Sequence, residues 1–180
     1  MVKPTGEAGF SLVETVISIG ILGTALLSLA AFFALGLNHM AGSSASLVAR
    51  EKAREAVESV HTARDTRVIT WAQIHNVSRG GVFVEGAQPL RTPGPDGLVN
   101  TADDGEIETV LGVGADNVLG TADDVRVPLG TFTRQIEILD LPDQQGAVNA
   151  NLRELRVTIG YLAGGSRRTY VLTTYISSIS

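Results

Sequence analysis

The chain has no cysteine, which excludes disulfide scaffolds, thiolate metal sites, iron–sulfur clusters and cysteine nucleophiles. Aromatic residues make up 5% of its 180 positions and charged residues 18%, with 14 basic against 19 acidic side chains and a formal net charge of -5. An acidic chain lacks the basic footprint of a nucleic-acid binder, so nucleic acid is not expected as a main partner. Three histidines, His39, His61 and His75, show no metal-ligand spacing, and no serine or threonine stands with a histidine in a recognisable nucleophile motif. An enzyme is therefore not expected. Proline is scarce as well: none occurs between Phe10 and Arg64, so nothing there breaks a helix. The length fits one ordinary domain plus an appendage.

What the chain does have is one long apolar run. Val16 to Leu37 (VISIGILGTALLSLAAFFALGL) is free of charge over 22 residues. As a helix it spans roughly 33 Å, enough to cross the hydrocarbon of a bilayer. The apolar core of a cleavable secretory signal is shorter, about 7 to 15 residues, so ordinary signal removal at the small residues Ala41 to Ala45 is the weaker reading. Glu14 lies at the edge of the run, where an unpaired charge costs on the order of 3 kcal/mol on insertion scales. It is either a functional carboxylate with a partner or a boundary charge in the interfacial layer.

Ahead of the run stand nine polar or small residues, MVKPTGEAG, then Phe10-Ser11-Leu12-Val13-Glu14. This junction resembles the class III leader of type IV pilins and pseudopilins. The resemblance implies that residues 1–9 are a leader peptide, that a prepilin peptidase/methyltransferase cuts after Gly9 and N-methylates Phe10, and that Glu14 is the assembly carboxylate. It further implies an inner-membrane, single-pass precursor whose C-terminal head faces the periplasm or the cell exterior. Its partners would be other pilin or pseudopilin subunits, the assembly platform, and membrane lipid before assembly. Many major pilins carry a proline at the position of Ala31, which this chain does not. Physically, cleavage before an apolar helix leaves a charged amine at its tip, and Glu14 one turn later needs a counter-charge in a low-dielectric bundle. A neighbouring subunit's amine is the natural partner.

The resemblance divides the chain into 10–37, the membrane or filament-core half of a helix, 38–66, its amphipathic half, and 67–180, a β-rich head. Ala45, Ala49, Ala53, Ala56, Val57, Val60 and Ala63 form one small apolar stripe at helical spacing. Glu51, Arg54, Glu55 and Glu58 mark the solvated side. Trp71, the one tryptophan, reads as a core or sheet-edge anchor. Thr131–Leu139, Leu152–Leu162 and Thr169–Ile179 alternate as strands, and the short AGGSRR link predicts a hairpin between the last two. Helix first and antiparallel strands after give an α+β fold, a spine helix packed on an antiparallel sheet. Arg167, Arg168 and the strand Thr169–Tyr175 resemble minor subunits more than a major fibre subunit.

The remaining feature is an internal repeat. GPDGLVNTADD at 94–104 and GADNVLGTADD at 114–124 align without a gap at an offset of 20, within an insertion at 94–124. Asp96, Asp103 and Asp104 correspond to Asp116, Asp123 and Asp124, with Thr101 and Thr121 before each acidic pair, and Asn100 and Asn117 add one candidate oxygen ligand to each copy. Oxygen ligands in Gly/Asn turns suit a hard cation such as calcium, and the motif is similar to short Asp-rich calcium loops of exported bacterial proteins. It is not an EF-hand, lacking that loop's Asp spacing and Glu at position 12. The competing reading is two plain Asx turns. The expected function is a minor pilin or pseudopilin of a type IV pilus or type II secretion filament, acting in initiation or at the tip. The alternative is a membrane-anchored, exported calcium-binding domain.

Overall fold

The computed structural model describes residues 11–179, with residues 38–43 described as backbone alone. The fold is α+β: helix α1 (Leu12–Asp65), then β1 (Gln88–Pro89), β2 (Thr109–Gly112), β3 (Val125–Pro128), β4 (Thr133–Pro142), β5 (Val148–Ala163) and β6 (Ser166–Ser177). The chain forms two compact units that divide between Ala41 and Gly42, within α1.

In the first unit, Leu12–Leu37 is long and apolar enough to cross a membrane, and none of it is buried. A span in hydrocarbon must satisfy its own polar groups. It does so locally: the hydroxyls of Thr24 and Ser28 donate to the carbonyls of Ile21 and Thr24 at 2.9 and 2.8 Å, and Thr15 donates to Ser11 O at 3.3 Å. A Cβ added at Gly20, Gly23 or Gly36 would meet nothing within 4 Å, so these positions leave open backbone on the helix surface.

In the second unit β1, β4, β5 and β6 form an antiparallel sheet in that order, and β2 with β3 forms a separate two-stranded arm. The alanine stripe behaves as its spacing predicts. Ala49, Ala53, Ala56, Val60 and Ala63 are buried, with Ala45 and Val57 partly so. The sheet supplies the other wall of the core through Ile136, Ile138, Leu155, Val157, Ile159 and Ile176. Alternation puts such residues on one face of the strands. Alanine on the helix keeps the wall thin, and the larger aliphatics fill the space from the sheet.

Two side chains finish the sheet where main chain runs out. Strand β1 pairs with β4 only at Thr133 and Arg134. Farther along that edge, Asn76 takes the place of a strand: its Nδ2 donates to Ile136 O at 2.8 Å and its Oδ1 accepts from Ile138 N at 2.9 Å. Trp71 is a half-buried anchor beside the β4–β5 hairpin. Its indole N–H donates to Ala150 O at 2.8 Å, and the Arg153 guanidinium lies 4.2 Å from its ring centroid.

Candidate functional site

Glu14 lies in the first turn of α1 with an exposed side chain, followed by the exposed apolar run. Negative charge at a helix N-terminus is favourable, because the first backbone N–H groups have no intrahelical acceptor. Gly9 and Phe10, on which the processing expectation falls, lie outside the described residues.

The two Asp-rich segments fold into the same loop twice. Asp96 and Asp116 each accept a hydrogen bond from the backbone N–H two residues on, Leu98 and Val118, both at 2.8 Å. Asp104 and Asp124 each accept from the N–H four residues back, Asn100 at 2.8 Å and Gly120 at 2.6 Å. The Thr101 and Thr121 hydroxyls donate to Asp103 and Asp123 at 2.8 and 2.7 Å. That hydroxyl, together with the Asp116 N–H, holds the Asp123 carboxyl below its ordinary pKa.

The backbone explains a sequence difference between the repeats. The first has Gly97 and Asn100, the second Asn117 and Gly120, with φ of 73° and 67° against 56° and 94°. Both positions of the loop are left-handed, a region that glycine and asparagine occupy at least cost. Glycine and asparagine have exchanged places while the conformation is retained. Position 100 is thus aligned with Gly120, and the second Asn ligand candidate, Asn117, is the counterpart of Gly97.

Within each loop the acidic side chains accept from the loop's own backbone N–H groups or, for Asp103, from the Thr101 hydroxyl alone. Among the described residues no group of three or more His, Cys, Asp or Glu side chains is arranged to hold a metal ion. Two oxygens are left over: Asn100 Oδ1 and Asp124 Oδ1 are buried and lack a hydrogen-bond donor.

The loops differ in surroundings. In the first, Leu98 and Val99 are 0% exposed and belong to the core, whereas their counterparts Val118 and Leu119 are 54% and 60% exposed. The base of the arm is fixed by a buried ion cluster that sequence reasoning missed. Arg134 on β4 donates from one guanidinium nitrogen to Glu108 Oε1 at 3.2 Å and from the other to Arg91 O at 3.1 Å. Lys52 on α1 reaches Glu108 Oε2 at 2.5 Å and Glu55 at 2.6 Å. Burial works to lower the Lys52 pKa, but pairing with Glu108 and Glu55 outweighs it and the ammonium sits above its ordinary value. A signal was present: Lys52 lies three residues after Ala49 and four before Ala56, on the border of the buried stripe.

An N-terminal apolar helix followed by an antiparallel sheet is a pilin-like architecture. No family model, curated protein or solved structure matches the chain.

Proposed function

We propose that the chain is a structural subunit, a minor pilin or pseudopilin, of a type IV pilus or type II secretion filament. The observation that carries this reading is the sequence of α1 itself. Glu14 stands in its first turn, a wholly exposed apolar segment follows to Leu37, and the same helix continues into an alanine stripe buried in the head. Before assembly the apolar segment anchors a single-pass precursor in the inner membrane; in the filament it becomes packing surface between subunits. Maturation by a prepilin peptidase/methyltransferase follows from the junction at Gly9 and Phe10. Intact mass of the chain recovered from peptidase-positive cells is expected to correspond to a start at N-methylated Phe10. A chain starting beyond Ala45, or one that remains uncut, would overturn the reading.

The second reading, an anchored calcium-binding domain, draws support from the unsatisfied oxygens of Asn100 and Asp124. A cation near either would supply the missing partner, since buried polar groups without one are costly. With Asp96, Asn100, Asp103 and Asp104 or Asp116, Asn117, Asp123 and Asp124 recruited around it, calcium stabilises the loop by mass action, about 2.7 kcal/mol at 100 times the dissociation constant. Millimolar calcium is then expected to raise the melting temperature more than magnesium does. Asp103→Asn with Asp123→Asn is expected to remove that difference. Equal melting in calcium and in chelator returns both repeats to Asx turns.

A further inference from the structure

The strand edge that Asn76 covers is held down beside a titratable side chain. Asn76 bonds Ile136 and Ile138 of β4, and its neighbour His75 is only 9% exposed. The main chain around the pair has no slack. Phe83, fully buried, donates its N–H to His75 O at 3.2 Å, and a Cβ at Gly81 would lie 1.9 Å from that same oxygen. Arg153 on β5 fastens the front of the segment by donating to Trp71 O and Ile74 O at 2.5 and 2.9 Å.

The His75 ring sits in a cluster with more cations than acids. Its Nε2 lies 3.4 Å from Asp140 Oδ1 on β4, the carboxylate paired with it among the described residues. Asp140 already faces two guanidiniums, Arg79 Nη1 at 2.9 Å and Arg153 Nε at 3.5 Å. The other ring nitrogen, Nδ1, is buried and has no hydrogen-bond partner among the described residues. A neutral ring with its proton on Nε2 suits this arrangement, because Nδ1 is then bare. A second proton is costly in two ways. It leaves an N–H at Nδ1 without an acceptor, and it places a third cation around a single carboxylate. Burial, and after it the Arg153 charge, hold the ring's pKa below its ordinary value against the pull of Asp140.

If the segment lifts, the ring meets water and takes up a proton as an ordinary histidine does. Proton binding thus favours the lifted state. Above the ordinary histidine range the closed segment loses nothing by this, and as the pH falls below that range its closure weakens progressively. An unpaired strand edge is a template for pairing with another chain, so the group that governs this cap governs whether β4 has a free edge.

We propose that His75 makes the segment 71–83 an acid-sensitive clasp on the edge of β4, closed near neutrality and released from Ile136 and Ile138 when His75 takes up a proton. The inference concerns the head alone and does not depend on whether the chain enters a filament.

Amide exchange of the full chain in detergent micelles, read by NMR and corrected for the intrinsic pH dependence of exchange, tests it. Ile138, whose N–H donates to Asn76, is expected to lose protection on the order of tenfold from about pH 7.5 to about pH 5, across the histidine range. Val157 lies on β5, flanked by β4 and β6, and reports unfolding of the whole sheet. It is expected to stay at least about tenfold better protected than Ile138 at both pH values, because lifting the segment is a local opening. His75→Gln is expected to abolish the loss at Ile138. The ring is also read in the unsubstituted chain, where its imidazole resonances are expected to titrate below the ordinary histidine range. Titration of His75 within that range, equal protection of Ile138 and Val157, or a loss at Ile138 that survives His75→Gln overturns the proposal.

Discussion

Glu14→Val is expected to leave the chain inserted and cleaved while removing it from sedimentable filaments. Insertion becomes easier, because the substitution takes away a charge that costs on the order of 3 kcal/mol near the hydrocarbon. Assembly becomes harder, because the incoming subunit loses the carboxylate that would neutralise its neighbour's terminal amine inside an apolar bundle. A coupling of about 3 kcal/mol corresponds to roughly a hundredfold in an equilibrium constant, so incorporation should drop by at least tenfold. Pelleting of sheared filaments followed by immunodetection measures it. Glu14→Asp is expected to retain part of the incorporation, since the charge survives on a shorter arm. Wild-type incorporation of Glu14→Val would return Glu14 to the role of a boundary charge.

The second large effect is expected at Glu108. Glu108→Gln leaves Arg134, which is fully buried, without a counter-ion, and it deprives Lys52 of its closer partner. Removing one member of a buried ion cluster costs about 3 to 5 kcal/mol, most of it the expense of the stranded charge. Chemical denaturation of the full chain in detergent, followed by Trp71 fluorescence, reads the loss. The cause is separable from mere loss of contact: a triple variant with Lys52→Met, Glu108→Leu and Arg134→Met removes all three charges and is expected to recover most of the stability. A loss below about 1 kcal/mol for Glu108→Gln would mean that water reaches the cluster and screens it.

These two sites were not equally legible. The run from Val16 to Leu37 and the alanine stripe have periods that a single helix satisfies, and α1 follows both. The β4–β5–β6 meander was visible in its alternation, though not in its lengths. Arg167 and Arg168 read as link residues, whereas β6 begins at Ser166, because the turn closes on Gly164 and Gly165 alone and pairs Ala163 with Ser166. The doubled loop was visible as a repeat. Its unequal burial was not, since nothing local distinguishes Leu98-Val99 from Val118-Leu119. The difference comes from what each loop packs against, which is tertiary information. The same holds for the Lys52–Glu108–Arg134 cluster, whose members lie 56 and 26 positions apart in the chain. Asn76 is a related case: no pattern announces a side chain that will act as a strand.

The closure of the β2–β3 arm bears on how this head is put together. Leu129 N donates to Glu108 O at 2.8 Å, so the residues on either side of the arm already touch. Glu108 in turn is tied to Leu90 by its own N–H at 3.0 Å and to Arg134 by its side chain. Everything from Thr109 to Pro128, the second loop included, leaves and re-enters the head through a single doorway. Such a segment is a detachable cassette: one loop serves as part of the fixed architecture, and its near-duplicate is free to diverge in length and chemistry without disturbing the core that its sibling helps to fill.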